Sequence, residues 1–180
     1  MISLRSGVTR KVLGYFFLNE SESLYVNEMA RLLDLDRGNL VRKLRELEER
    51  SILLSEFHGN QRYYFLNKKH PLYKEYRTII LKTVGFEAQA REMLREMPGI
   101  ENAFIFGSYA REGMDSASDV DLLVVGSHDT VNLQRKIRLL QKAFGREINV
   151  ISISPAEFCD RRRKDPFFKR ILGAPRIELV

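Results

Sequence analysis

The pattern of apolar and polar positions changes period twice along the chain. Over 6–18, Val8, Val12, Leu13, Phe16 and Phe17 recur at helical spacing, which predicts an amphipathic first helix ending before the polar stretch 19–23. Met29, Leu32 and Leu33 form a short apolar stripe within 25–33. Asp34 or Asp36 ahead of Arg37-Gly38-Asn39 then reads as a turn into another helix. There Leu40, Leu44 and Leu47 fall at i, i+4 and i+7 and face a core. Gly38, Arg42 and Arg45 point the other way, with Asn39 and Lys43 along one flank. After Ser51 the spacing becomes extended. The runs 52–58 and 61–67 are strand-like and are joined by Gly59-Asn60, two residues that tolerate positive φ and so predict a hairpin.

His70-Pro71-Leu72 interrupts the pattern, and 73–97 reads as one long helix closed by Pro98-Gly99. This segment predicts either packing between modules or a dimerisation helix. Beyond Gly99 strands and helices alternate: strands over 100–106, 120–125 and 147–153, with a helix over 130–144. Ser154-Pro155-Ala156-Glu157 fits a capping box opening a helix that runs into Arg161-Arg162-Arg163-Lys164. A second short helix and a short edge strand over 176–180 complete the chain. The four consecutive cations read first as a solvated helix face and second as a nucleic-acid contact.

Composition narrows the classes. With 44% hydrophobic and 30% charged residues and no biased tract, the 180 residues can bury cores, which excludes a disordered or fibrous chain and suits two small modules. No run approaches the ~20 apolar residues of a membrane span, and no signal-peptide core follows Met1, so a cytoplasmic protein without membrane association is expected. The lone Cys159 cannot form an internal disulfide, belongs to no zinc spacing, and is expected to be a small, partly buried side chain. A net charge of +6 permits an anionic partner. The excess is spread out, at 17 cations against 13 acids over 1–97 and 13 against 11 over 98–180, so a nucleic-acid contact has to come from a localised face.

Helix, helix, helix, hairpin is the order of a winged helix-turn-helix. Residues 25–67 resemble the winged-helix DNA-binding domains of bacterial and archaeal transcriptional regulators, above all in Leu44-Arg45-Glu46-Leu47-Glu48-Glu49 and the wing Gly59-Asn60-Gln61-Arg62-Tyr63-Tyr64. The resemblance implies double-stranded DNA as partner, with Arg37, Asn39, Arg42, Lys43 and Arg45 at the major groove and Asn60 and Arg62 on the wing. A homodimer through the long helix would match two half-sites.

Chemistry concentrates in the later module. Gly107-Ser108-Tyr109-Ala110-Arg111, then Ser118-Asp119-Val120-Asp121 opening the apolar run Leu122-Leu123-Val124-Val125, resembles the minimal nucleotidyltransferase domain of the polymerase-beta-like superfamily. A Gly-Ser turn lets backbone N–H groups approach a phosphate, and two aspartates two apart on a strand point to one side. The residues therefore suggest Gly107, Ser108, Arg111 and Ser118 at a nucleoside triphosphate, and Asp119 and Asp121 as catalytic ligands of Mg2+ or Mn2+. Two positions depart from the family. Asn149 stands where a third carboxylate is usual, with Glu147 a substitute on the same strand face, and Glu112-Gly113 shifts the flexible point of the loop by one.

The expected fold is α+β in two modules: a winged helix-turn-helix over 1–70, a linker helix over 71–97, and an α/β nucleotidyltransferase fold with a mixed sheet over 98–180. The expected function is a DNA-binding transcriptional regulator whose second domain binds a nucleoside triphosphate with divalent metal, as a sensor or with reduced activity. The alternatives are an active nucleotidyltransferase acting on a protein or RNA hydroxyl and, from the resemblance alone, an antitoxin-like component.

Overall fold

Ser6 caps the first helix, its Oγ accepting from the Thr9 N–H at 3.4 Å, and α1 (Gly7–Leu18) follows with Val12, Leu13, Phe16 and Phe17 buried. The computed structural model describes residues 3–111 and 119–180 and divides into two units, Met1–Ala88 with Lys142–Gly145, and Gln89–Gln141 with Arg146–Val180.

In the first unit β1 (Ser23–Tyr25) leads into α2 (Val26–Leu32). Asp36 Oδ1 accepts from the Asn39 N–H at 2.9 Å and so opens α3 (Arg37–Glu49), whose Leu40, Leu44 and Leu47 are buried as their spacing predicts. β2 (Leu53–His58) and β3 (Gln61–Leu66) form the hairpin, and β1 adds to β3, giving an antiparallel sheet of order β1-β3-β2. β1 was not predicted. Its three residues carry no period of their own, and its pairing partners Tyr63 to Phe65 lie some forty positions on.

The helix expected over 73–97 is two, α4 (Tyr73–Thr83) and α5 (Phe86–Arg95). The Val84 and Gly85 N–H groups both reach the Ile80 carbonyl, at 3.0 and 2.7 Å, which ends the regular ladder. Gly85 lies so close to the preceding turn that a Cβ would stand 2.9 Å from Ile80 O and Leu81 Cα. Any side chain there would force the turn apart.

The second unit contains β4 (Ile100–Phe106), β5 (Val120–Gly126), α6 (Thr130–Phe144, whose last turn belongs to the first unit), β6 (Ile148–Ile153), α7 (Pro155–Lys164), α8 (Pro166–Leu172) and β7 (Ile177–Glu178). The sheet order is β6-β5-β4-β7, with β5 and β6 parallel across the α6 crossover and the other pairs antiparallel. It is a mixed sheet in an α+β unit, consistent with a nucleotidyltransferase fold. Register places Phe104 beside Leu123 and Phe106 beside Asp121, so these side chains share a face. That face carries a core of Phe104, Phe106, Leu123, Val125, Ile153, Phe168 and Ile171, with Phe158 and Phe167 packed against it. Truncating Phe168 to Ala would cost about 3–5 kcal/mol.

Ser154 Oγ accepts from the Glu157 N–H at 3.2 Å and starts α7, and Asp165 Oδ1 accepts from the Phe167 N–H at 2.8 Å and starts α8. β7 closes the β4 edge, and beyond it the Leu179 and Val180 N–H groups both bond the Ala103 carbonyl. Cys159, expected to be partly buried, is exposed on α7 because the helix turns that position away from Phe158 and the core. Among the described residues no helix is long and apolar enough to cross a membrane.

Candidate functional site

The carboxylates come from the start of β5. Asp121 is the second residue of the strand, and its register partners are Phe106 on one side and Asn149 on the other. Because paired residues point to the same face, Asp121 and Asn149 stand side by side, at the end of the sheet where β4 runs out into Gly107-Ser108. Asp119 precedes the strand and is drawn in by Asn149, whose Nδ2 donates to Asp119 Oδ2 at 3.2 Å.

Gly107 makes the turn. Its φ is +78°, a region that disfavours side chains, and a Cβ there would run into Asp121 Oδ2. The carboxylate thus lies directly against the backbone of the turn. Ser108 is half-buried, and its carbonyl accepts from the Arg111 N–H at 3.2 Å, closing a single 3-10 turn over Tyr109–Arg111 that leaves Arg111 exposed. Ser118 and the Glu112-Gly113 departure lie outside the described residues.

Burial pushes the Asp121 carboxyl above its ordinary value; a hydrogen bond from Asn149 opposes the rise and the Asp119 charge adds to it. Among the described residues, only a neutral amide stands between these two like charges. A divalent cation that prefers hard oxygen ligands would relieve both, and the donor set fits one: two anionic carboxylates, with the Asn149 carbonyl oxygen as a neutral third. Glu147 accepts the Val120 N–H through its backbone carbonyl, at 3.0 Å, and is exposed. Among the described residues no three carboxylate, imidazole or thiol groups converge.

The second candidate surface is α3. Arg37, Asn39, Arg42 and Arg45 are exposed opposite the buried leucines. Arg42 donates to Asn39 Oδ1 at 3.2 Å, and Lys43 is half-buried and paired with Glu46 at 2.7 Å. Asn60 is exposed in the hairpin turn. Arg62 is placed differently from the expectation of a wing contact. Its guanidinium bonds both Glu48 oxygens, at 2.6 and 2.7 Å, and Ser55 Oγ at 2.8 Å, and it lies against the Phe57 and Tyr64 rings. Arg62 therefore ties α3 to the hairpin. Sequence reasoning passed over Glu48 and Ser55, because neither stands at a local spacing from Arg62. It also passed over Phe57, which is 71% exposed on β2 and lies under the Arg62 guanidinium.

Comparison with known proteins bears on the later residues. Residues 87–172 match the family model of the nucleotidyltransferase domain. No curated protein matches the chain. Among solved structures, a toxin–antitoxin crystal structure with AMP-PNP is similar at 18% identity and TM-score 0.40, covering 52% of this chain and 72% of that one. A mutant of the toxin–antitoxin MntA–HpeT gives 15% identity and TM-score 0.40 over the same shares.

Proposed function

We propose that the nucleotidyltransferase domain binds a nucleoside triphosphate with Mg2+ or Mn2+ and transfers its nucleotidyl group to an acceptor hydroxyl, with pyrophosphate leaving, slowly or not at all, and that it serves as the sensing half of a DNA-binding regulator. The observation that carries this reading is Asn149, bonded to Asp119 and in register with Asp121, where the resemblance implies a third carboxylate. The Gly107-Ser108 turn would supply backbone N–H groups and a hydroxyl to the phosphates, with Arg111 as a further cation. Asp119 and Asp121 would hold the divalent ion, which when bound neutralises phosphate charge and polarises the reacting phosphorus. Asn149 can lend a carbonyl oxygen but cannot accept a proton from an attacking hydroxyl. Binding is therefore retained where activation of the acceptor is lacking.

The DNA-binding half of the proposal assigns residues 1–70 to a winged helix-turn-helix. Support comes from the exposed row Arg37, Asn39, Arg42 and Arg45 on α3, followed by a hairpin whose turn bears Asn60. In this reading Lys43 is a flanking phosphate contact and Arg62 braces the wing.

Calorimetry of the full chain with each of the four ribonucleoside triphosphates, in Mg2+ and in Mn2+, tests the site. Asp119→Asn with Asp121→Asn should abolish metal-dependent binding while leaving the circular dichroism spectrum unchanged. Absence of binding by the wild-type protein would reject the site. Rapid transfer of a labelled nucleotidyl group would favour the alternative, an active nucleotidyltransferase, which the paired aspartates on their own would suit.

A further inference from the structure

Between Ser154 and Leu172 the chain carries six cations and three acids, and all three acids are engaged. Glu157 pairs with Arg161 at 2.7 Å, Asp160 pairs with Lys164, and Asp165 caps α8. Two of the cations also lie over aromatic rings, Arg161 over Phe168 and Arg170 over Phe167, each 5.6 Å from the centroid. The side chains of Arg162, Arg163 and Lys169 are left exposed and, among the described residues, without a hydrogen-bond or ion-pair partner. The dipole at the end of α7 favours nearby cations only weakly and accounts for part of the run.

The location of the cluster accounts for more. Phe167, in the first turn of α8, packs edge-on against Phe106 at 6.1 Å. Phe106 is the register partner of Asp121 and immediately precedes Gly107, and its side chain is on the face that Asp121 and Asn149 share. The end of α7 and the start of α8 therefore lie at the carboxylate end of the sheet and on the carboxylate face. We infer that this α7–α8 surface binds a single-stranded polynucleotide alongside the Asp119–Asp121 site. The inference rests on the nucleotide reading of that site for its meaning, but not for the binding itself.

The side-chain chemistry selects this ligand. Arginine forks match phosphate oxygens, and guanidinium planes offer stacking surfaces to unpaired bases, as does the half-buried ring of Phe167. A duplex keeps its bases stacked inside and would use the cations alone. An acidic peptide needs apolar sockets or anchors as well as charge, and none of the large hydrophobic side chains exposed among the described residues lies between 154 and 172.

The test is fluorescence anisotropy of the full chain with labelled mixed-sequence RNA and DNA strands of about 12 nucleotides, within the usual site sizes for single-strand binders. Arg162→Ala, Arg163→Ala and Lys169→Ala together should weaken binding at least ~10-fold and flatten the log–log salt dependence by about 2, at ~0.7 per lost phosphate contact. Arg162→Glu with Arg163→Glu should weaken it further, whereas Arg42→Ala with Arg45→Ala should leave it in place. Binding of either strand type that follows this pattern supports the proposal, and a preference for RNA would assign a role to the 2′-hydroxyl. It is overturned if the wild-type protein moves neither strand, if the triple variant binds as tightly as wild type, or if polyglutamate of equal charge displaces the strand at equal concentration. Should calorimetry find no triphosphate binding while strand binding still depends on Arg162 and Arg163, the nucleotide reading falls and this one stands.

Discussion

The two sheets treat charge in opposite ways. In the antiparallel sheet of the first unit, Arg62 on β3 is surrounded by Glu48, Ser55 and two aromatic rings, and its charge is spent on joining α3 to the hairpin. In the mixed sheet of the second unit, Asp119 and Asp121 are brought together with no cation among the described residues to balance them, only the amide of Asn149. A charge that the fold has already answered is architecture; a pair of like charges held together needs something from outside. By this criterion Arg42, Arg45, Arg162 and Arg163 are stronger ligand-binding candidates than Arg62, whose charge is already engaged.

The largest expected effect tests the unanswered pair. If a missing proton acceptor is what limits transfer, Asn149→Asp should raise metal-dependent transfer of a labelled nucleotide by ~10²- to 10⁴-fold, the usual worth of general-base help. A rate that Asn149→Asp leaves unchanged but Glu147→Gln abolishes would show that Glu147 serves as the third carboxylate. Next in size is the α3 surface. Arg42→Ala and Arg45→Ala should each cost about 1–3 kcal/mol of double-stranded DNA affinity for a lost specific contact, and Arg62→Ala should act through stability more than through the salt slope; gel-shift titrations at several salt concentrations separate the two.

The answered charge gives a smaller effect. Glu48→Gln keeps the shape of the side chain but leaves Arg62 with neutral partners, and because Arg62 is 37% exposed the loss should be about 1–2 kcal/mol in a urea titration. Smallest is a pH effect at His128, where burial holds the imidazole below its ordinary value near 6.5 and Asp129 opposes the shift. A depressed histidine means that the unfolded chain takes up the proton first as pH falls. Its stabilisation is therefore complete above the ordinary value and is lost as pH falls through the folded one. His128 also bonds Ser152 Oγ at 2.8 Å through Nε2. His128→Gln should narrow the fall in Tm between about pH 7.5 and about pH 5.

What the sequence could convey followed from locality. The leucines of α3, the Gly59-Asn60 turn and the alternation around Asp119 and Asp121 are all set by neighbours within a few residues, and the elements built on them stand where the spacing predicts. The Asp121–Asn149 adjacency could also be anticipated, because both residues sit near the starts of apolar runs joined by a helix, the pattern of a parallel crossover. What was missed depends on distant partners. β1 exists only because β3 accepts it, Arg62 is answered by a residue fourteen positions earlier, and the break before α5 comes from a backbone approach at Gly85. The placement of the start of α8 at the carboxylate end of the sheet is of the same kind, since Phe167 meets Phe106, a residue far back in the sequence.

The short β7 strand has a consequence for self-association. Two residues in register, plus the Leu179 and Val180 amides on the Ala103 carbonyl, occupy backbone groups on β4 that would otherwise form an open edge beside a buried apolar face. Such an edge is a template on which a second chain can add a strand. Deleting residues 177–180 should therefore do more than remove the buried side chain of Leu179. It should turn a monodisperse preparation into one whose light scattering rises with time and concentration, with β4 as the seam along which the molecules join.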